Sequence, residues 1–537
     1  MKGMDLIMKK LKEELKYGKK GITLISLVVT IIVLLILAGV TIATLTGNNG
    51  ILTRAQEAKN KTDEAEREEK EKLGDMEGIL DEYSTGIKIE QVVDENPGTL
   101  EGTGTESDPY TINSIEDLVV FASNVTNGTT YEGQTVKLGL SLDFNSNKSY
   151  VNSLRTDYGE YGYDGELKTL LTTGTGFNGI GDKIGGNTLF KGNFDGNGNF
   201  IKNIYINVSN LNSQYNTIGL FNQCEGKIEN LILYNSDINI EVTSGHTLTG
   251  SIAGNNKGTI ENCIVNGKIN IISNDENSKS VRCGGIAGQS NSISNCGSET
   301  SINIEGKEVF AGGIVGWESE NVYESYNNGS IIINGDSETI RVGGICGWTD
   351  GQAKEITDCY NTGNIEVTNG NIVYAGGIIG FQKNSTLNHA YNEGTIKITA
   401  PNSQSAIGGI VGHIVSSFMY NVINYGNIDV YNDTTKSFIG GISGACLSST
   451  INLAYDASNK LTDIENENIG ECIGESNGNI NLSNIYAVNN QYNIIAKYVV
   501  GTIDDKTVTN IENIPNLLEV LGDKFKILNN KIKLNWE

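Results

Sequence analysis

Three histidines, His246, His389 and His413, are the side chains that first suggest a metal site or an acid–base site. No two of them are four residues apart, and none begins the His-Glu-x-x-His pattern of a zinc protease helix. The cysteines include no Cys-x-x-Cys pair, so zinc-ribbon and thioredoxin-like chemistry have no support. We therefore predict no metal site, and we expect the histidines at the surface or in turns.

Outward-facing carboxylates are the second set of residues that could do chemistry. Glycosidic bonds are cleaved by paired carboxylates, and parallel β-helices commonly host such enzymes, so Glu366 and Asp429 are the candidates here. The position they share changes from repeat to repeat and shows no convergent acidic pair. We predict a protein with no catalytic residue and no cofactor, with a polysaccharide-active β-helix enzyme as an alternative. In chain order this position holds Asn270, Asn303, Ile332, Glu366, Lys397 and Asp429.

A third candidate is the segment from Asp195 to Asn199, whose Asp-Gly-Asn-Gly-Asn order is similar to the start of a calcium-binding loop. Such a loop needs a bidentate glutamate at its twelfth position, where this chain has Ile206. The segment therefore predicts a tight turn rather than a metal site.

The composition predicts short strands that are joined by tight turns. The chain has 537 residues, of which 66 are glycine and only 4 are proline, and apolar residues make up 38%. The formal net charge is −25 and the body has no basic patch, so we predict no nucleic-acid partner. Several of the 8 cysteines fall at matching repeat positions, where a small buried apolar side chain would fit.

The N-terminal segment predicts where the protein is located. A lysine-rich leader, residues 1–21, precedes residues 22–45, which carry no charge and are long enough to span a bilayer as a helix. Because lysines stay on the cytoplasmic side, we predict a single-pass anchor in membrane lipid with the body outside the cell. Residues 46–86 are rich in Ala, Glu and Lys and predict a solvated helical stalk.

The junction between the leader and the apolar helix has a specific form. Lys19 and Lys20 precede Gly21, and Ile22 begins the apolar run. This junction resembles the cleavage and methylation site of type IV prepilins, which implies that a prepilin peptidase cuts between Gly21 and Ile22. Ser26 replaces the acidic residue of that family, which argues against assembly into a pilus. The simpler alternative is a plain membrane anchor.

A repeat of about 30 residues dominates the body of the chain. Each copy carries a Gly-Gly-Ile-x-Gly motif, followed by a small-x-Asn-x-Gly motif and a strand with alternating apolar and polar residues. In Ile365, Glu366 and Val367, for example, the two apolar side chains should point inward. The Gly-Gly-Ile-x-Gly motifs begin at Gly284, Gly312, Gly343, Gly376, Gly408 and Gly440.

This period predicts an all-β solenoid, specifically a right-handed parallel β-helix of roughly ten coils. Stacked coils about 4.8 Å apart would share one apolar core, which a single repeat could not bury. We expect the glycines to permit positive φ at corners and close approach of neighbouring strands. We also expect a ladder, internal or at a turn, of Asn327, Asn361, Asn392 and Asn424.

The array resembles the GLUG repeats of bacterial surface proteins, including adhesins and IgA-specific peptidases, over about residues 190–480. The resemblance implies a β-helix on a cell surface, but not the peptidase activity, because the zinc-binding helix pattern is missing. A solenoid needs covered ends. We therefore predict an N-terminal cap and the start of the β-helix at 87–187, the repeat β-helix at 188–509 and a C-terminal cap at 510–537.

These observations predict a membrane-anchored bacterial surface repeat protein that is not an enzyme. Its role would be adhesion or surface structure, with a glycan or protein of a host or matrix as partner. The alternatives are a minor pilin-like component of a surface fibre or secretion apparatus and, second, the polysaccharide-active enzyme.

Overall fold

The computed structural model describes residues 98–144, 176–183 and 188–537, the last range with short gaps. The gaps are at 336–338, 352–353, 400–404, 432–436, 459, 462–467, 489–491, 494, 499–502, 509–517, 519–520 and 529–530.

The chain divides into two compact units, Met1–Val93 and Asp94–Glu537. The first unit lies outside the described residues. The predicted leader, membrane helix and stalk, and the Gly21–Ile22 processing site, therefore lie outside them too. Within the described ranges, no helix combines the length and the apolar character that crossing a bilayer requires.

The body is a parallel β-solenoid, which confirms the all-β prediction. One face is a nine-stranded sheet, so about eight turns of the coil separate its first and last strands. Its strands are Tyr215–Ile218, Gly245–Gly250, Ser278–Gly284, Glu308–Gly312, Thr339–Gly343, Ile372–Gly376, Ala406–Gly408, Phe438–Gly440 and Ile469–Gly470. The handedness of the coil stays a prediction.

The remaining coil strands belong to one 31-stranded sheet that continues around the solenoid. A second face follows the Gly-Gly-Ile-x-Gly motif and consists of Phe221–Cys224, Ala253–Glu261, Ala287–Ser294, Val315–Tyr323, Cys346–Asp350, Glu355–Asn361, Ile379–Lys383, Thr386–Asn392, Val411–Val415, Phe418–Asn424, Ser443–Leu447, Thr450–Asp456, Ile473–Asn477, Ile480–Ala487, Ile495–Tyr498 and Ile503–Val508. A third face consists of Tyr205–Leu211, Ile232–Val242, Ile264–Ser273, Gly297–Gly306, Ile331–Gly335, Ile365–Thr368, Ile396–Thr399 and Ile428–Tyr431. Shorter strands are Tyr110–Ile112, Thr135–Leu138, Leu142–Asp143, Asn193–Asp195, Phe200–Lys202, Lys227–Glu229 and Tyr326–Asn327.

The repeats stack in the register that their motifs predict. Gly284 pairs with Gly312, and Ile365 pairs with Ile396 in the next coil. The isoleucines of the Gly-Gly-Ile-x-Gly motifs are fully buried, as are Ile365 and Val367. Glu366 lies on the outer face between them. Like residues therefore rest on one another along a single continuous core, as expected for a solenoid.

The second glycine of the motif makes room for a buried asparagine. A Cβ on Gly313 would collide with Asn327, and one on Gly344 would collide with Asn361. These motif glycines do not have positive φ, so the predicted corner role is wrong for them and the close-approach role is correct. The Gly-Gly-Ile-x-Gly motif and the small-x-Asn-x-Gly motif therefore depend on each other through the contact between this glycine and this asparagine.

The predicted asparagine ladder lies inside the solenoid. The side chains of Asn327, Asn361, Asn392 and Asn424 are fully buried. Each Nδ2 donates to the Oδ1 of the next coil, over 2.8 Å, 2.9 Å and 3.1 Å in turn. Each amide also bonds the backbone of the glycine two residues later, so buried polar groups of both the side chain and the turn are satisfied.

Asparagine, not glycine, is the commonest residue at the left-handed corner of the coil. One corner has φ between 42° and 59° in successive coils, which costs most L-residues energy but suits asparagine. The corner residues are Asn230, Asn262, Asn295, Glu324, Asp358, His389, Asn421, Leu453 and Asn484.

A second left-handed corner provides a stability prediction. Asn384, Ser416 and Ser448 occupy it in consecutive coils, with φ of 52°, 48° and 48°. We expect Ser416→Asn to raise the free energy of unfolding by about 0.5–1 kcal/mol, because asparagine tolerates this conformation better. Urea unfolding would measure the change. Ser301→Asn, in an extended strand, is the control; an equal gain there would contradict the corner explanation.

The first described coil is covered by one helix, Ile115–Thr126. Ser114 caps it, and the Asp117 side chain accepts hydrogen bonds from the backbone of Ser114 in return, which forms a capping box. Its buried face includes Phe121, whose ring contacts those of Phe190, Phe194 and Phe221. This arrangement covers apolar core that the first coil would otherwise expose.

The C-terminal hairpin occupies a different place from the predicted end cap. Its antiparallel strands, Phe525–Leu528 and Lys531–Leu534, pack against the flank of the solenoid, where Tyr391 and Tyr455 are buried. Lysines at the hairpin's edges pair with acidic residues of the coils. Lys533 lies 2.7 Å from Glu393, and Lys524 lies 3.0 Å from Asp358.

All eight cysteines are free thiols with buried side chains. This agrees with the prediction that they act as small apolar core residues. Burial raises the pKa of Cys224, Cys359 and Cys446 to about 12, so these thiols stay protonated and unreactive.

Candidate functional site

Two columns of outward side chains flank the Gly-Gly-Ile-x-Gly motif and contact each other. One column is the second residue before the motif, and the other is the residue directly after it. Arg282 donates from Nη1 to Oε1 of Gln289 at 2.9 Å, and the ring centroids of Phe310 and Trp317 are 6.0 Å apart. We call the surface where the columns meet the aromatic–arginine groove. It is lined by Arg282, Trp317, Arg341, Trp348, Tyr374, Phe381 and His413, and Phe310, which is buried, packs beneath them.

The aromatic rings of the groove stack along the solenoid axis. The ring centroids of Trp317 and Trp348 are 4.7 Å apart, with 9° between the ring planes. That distance is the spacing of neighbouring strands, so the coil register itself sets the stacking. Phe381 continues the column, edge-on to Trp348 at 6.1 Å, and His413 follows at 5.2 Å from Phe381.

Two arginines lie over these rings. The guanidinium carbon of Arg282 is 3.8 Å from the ring centroid of Trp317, and that of Arg341 is 4.9 Å from Trp348. Burial lowers the pKa of Arg282 to about 10 and also lowers the pKa of Arg341, although both remain protonated at neutral pH. The groove therefore holds two partly desolvated positive charges against aromatic faces.

Several hydrogen-bond donors of the groove have no acceptor among the described residues. They are Nε1 of Trp348, Nε of Arg282 and Nε of Arg341. Arg341 forms an ion pair with Glu308, whose Oε1 is 3.7 Å from the Arg341 Nη1, beyond hydrogen-bond distance. The unpaired donor atoms are themselves buried, so the two cations are stabilised incompletely by the fold.

The three histidines are separate and differ from one another. All three lie in strands and have half-buried side chains. His389 also has the positive φ of a corner, and its Nδ1 is 3.3 Å from Asp358. Burial lowers the pKa of His413 to about 4, with Arg341 adding to the effect, so this imidazole is neutral at physiological pH.

The acidic candidates from the sequence do not form a catalytic pair. Glu366 and Asp429 lie in one outward column, but Lys397 stands between them. The Lys397 Nζ is 2.6 Å from Glu366, and Lys460 is 2.8 Å from Asp429. Alternating charges of this kind neutralise one another on an exposed face.

The segment from Asp195 to Asn199 forms the predicted tight turn. The backbone N–H of Asn197 donates to Oδ1 of Asp195 at 2.8 Å, and Asn197 and Gly198 both have positive φ. This is the local bonding that favours Asx turns. Within the described ranges, no three or more His, Cys, Asp and Glu residues are grouped as a metal site would need.

The groove could have been found by aligning the repeats on their motif. The residue after each Gly-Gly-Ile-x-Gly is Gln289, Trp317, Trp348, Phe381, His413 and Ala445 in turn. The second residue before it is Arg282, Phe310, Arg341, Tyr374, Ala406 and Phe438. Both columns contain an unusual share of aromatic and arginine residues, which is the sequence signal for this surface.

Comparisons with known proteins found a partial sequence similarity and a weak structural one. No protein-family model matches the chain. Halomucin of Haloquadratum walsbyi is 29% identical over 197 residues, which is 36% of this chain and 2% of halomucin. A solved structure of a candidate immunoglobulin A1 protease from Bacteroides ovatus is 14% identical, with a TM-score of 0.36, and the match covers 81% of this chain and 95% of that one. A likeness at that score says nothing about the activity of this chain.

Proposed function

We propose that this protein is a membrane-anchored bacterial surface protein, without catalytic activity, that binds a polysaccharide in the aromatic–arginine groove. The apolar segment at residues 22–45 supports the anchor, and the parallel solenoid with its partial similarity to halomucin supports a surface repeat protein. The groove supports the binding role. Adhesion to a host or a matrix would be the biological consequence.

The groove is the observation on which the binding role rests. It extends along consecutive coils from Arg282 to His413, and its aromatic side chains are mostly half-exposed. Solenoids bind partners through such extended repeated surfaces rather than through one closed pocket. A polymer of repeated units matches a surface of repeated coils, because successive units meet side chains at regularly spaced positions.

Whole-cell binding tests the proposal. Cells that display the full chain should bind immobilised polysaccharides, and cells that display a chain lacking residues 188–509 should not. We expect Trp317→Gln combined with Trp348→Gln to weaken binding at least about tenfold, the scale of one lost interface anchor. Phe418→Gln is the matched control, since Phe418 is 48% exposed on another column. Binding that survives the deletion would refute the proposal.

A minor pilin-like role is the second candidate, because of the Gly21–Ile22 junction. Mass spectrometry of the mature N-terminus separates the two. An N-terminal methylated Ile22 supports processing by a prepilin peptidase and a place in a surface fibre or secretion apparatus. An intact leader supports a plain anchor in membrane lipid.

The polysaccharide-active enzyme remains the alternative with the least support, because Glu366 and Asp429 are each paired with a lysine. Incubation of the protein with a polysaccharide panel would show new reducing ends or unsaturated products if the enzyme hypothesis were correct. We expect neither product.

A further inference from the structure

The positive charges of the groove lie on alternate coils. Arg282 pairs in register with Phe310 in the next coil, and Phe310 pairs with Arg341 in the one after. Two coil steps place the arginine backbones about 10 Å apart along the axis. In an extended polysaccharide one sugar ring advances the chain by about one strand-to-strand spacing. The spacing of Arg282 and Arg341 therefore matches that of charges carried on every second sugar ring.

The exposed parts of the aromatic rings are their edges. The rings of Trp317 and Trp348 cover each other's faces, and Arg282 covers the other face of Trp317. Aromatic edges carry partial positive charge, whereas the faces carry partial negative charge. The ring edges and the two guanidinium groups therefore make one electropositive strip, and such a strip attracts anionic oxygens rather than the apolar face of a neutral sugar.

The guanidinium of Arg341 is partly buried and forms a long ion pair with Glu308. The Arg341 side chain is only 18% exposed, and its Nη1 lies 3.7 Å from the Glu308 carboxylate. Its Nε and Nη1 are buried and lack hydrogen-bond partners among the described residues. A carboxylate or sulfate beside the exposed part of this side chain would therefore add a compensating charge to a partly desolvated cation.

The overall charge of the chain limits which polyanion can bind. A net charge of −25 repels any polyanion, and more strongly the denser its charge. Nucleic acid carries a phosphate on every nucleotide, whereas many acidic polysaccharides carry one charge on every second ring. An acidic polysaccharide of this kind is therefore repelled less than nucleic acid, and its charge spacing matches the spacing of Arg282 and Arg341.

We propose that the aromatic–arginine groove binds an acidic polysaccharide along the coil axis, with Arg282 and Arg341 each contacting a carboxylate or sulfate two sugar rings apart. This inference rests on the proposed polysaccharide-binding function and specifies its ligand class. Glu308 on the groove rim opposes the ligand.

The test uses the full chain in detergent and hyaluronan oligosaccharides, in which every second ring carries one carboxylate. We expect these to bind, and carboxyl-reduced oligosaccharides of the same length to bind at least tenfold more weakly. Arg341→Gln and Arg282→Gln should each weaken binding about tenfold, Arg341→Lys should weaken it less, and Glu308→Gln should strengthen it two- to threefold. Lys397→Gln, which removes a lysine on another column, should leave binding unchanged.

The outcomes separate this inference from the proposed function. Equal binding of the neutral and acidic oligosaccharides, with loss in the tryptophan variant, would keep a sugar-binding groove and overturn the acidic ligand class. Binding of oligothymidylate more tightly than hyaluronan would overturn it in favour of nucleic acid. If the Arg341→Gln variant melts at the same temperature as the parent and binds hyaluronan with unchanged affinity, the acidic ligand class would also be overturned. If the protein binds no saccharide, both the proposed polysaccharide-binding function and this inference would be overturned.

Discussion

Asn361→Ala is expected to lower the free energy of unfolding by about 3–5 kcal/mol, because it breaks a fully buried hydrogen-bond ladder in the middle of the stack. Asn361 accepts from Asn327 at 2.8 Å and donates to Asn392 at 2.9 Å. It also donates to the backbone oxygen of Gly363 and accepts from its N–H. Alanine would leave these buried groups without a partner on one side. Urea unfolding followed by tryptophan fluorescence would measure the loss.

Asn303→Ala is the matched control for that substitution. Asn303 donates to Asn270 at 3.0 Å in a second asparagine ladder, but on the half-exposed outer face, where water can replace the lost bond. We expect its cost to stay below about 1 kcal/mol. Equal losses at the two positions would show that burial of the inner ladder contributes nothing to its strength.

Asp456→Asn is expected to stabilise the protein by about 2–4 kcal/mol at pH 8 and to have little effect near pH 4. Asp456 ends the asparagine ladder, accepting from Asn424 at 2.9 Å, and Ala487 follows in the next coil. Burial raises the pKa of Asp456 to about 7, and the nearby Glu471 carboxylate adds to the rise. An asparagine there would extend the ladder without a buried charge.

The pH dependence has a definite sign. Because the folded-state pKa lies above the unfolded value of about 4, the native protein holds a proton that the unfolded chain has released. The stability that this group contributes is full below pH 4 and is lost as the pH rises through about 7. Thermal unfolding between pH 4 and 8 should show a shallower slope in Asp456→Asn. A slope in Asp456→Asn equal to that of the parent would contradict the assignment.

The sequence predicted the repeated parts of the fold because they depend on local period. Alternation in Ile365, Glu366 and Val367 determines which side chains enter the core, whatever the neighbouring coils are. The ladder of Asn327 to Asn424 followed from the same spacing, since equal repeats must place equal residues in register. The corner residues were assigned wrongly, because the φ of a corner depends on the coil path rather than on the presence of glycine.

The candidate site was harder to predict because it joins two positions that are several residues apart in each repeat. Arg282 and Gln289 meet only because the chain turns at the motif between them. The sequence suggested Glu366 and Asp429 instead, as isolated acidic side chains, and could not show that lysines of adjacent coils neutralise them. Which charged residues pair between coils can be predicted only when the register of each coil is known.

The amino-acid sequence alone determined that this protein is a solenoid with an isoleucine core and an internal asparagine column. Residues one repeat apart must stack on one another when every repeat folds alike. Only the tertiary structure decided what non-repeated segments do. It placed the hairpin that contains Lys533 on the flank beside Glu393, and it ended the ladder at Asp456. Those contacts join residues of unrelated spacing, so no period in the chain specifies them.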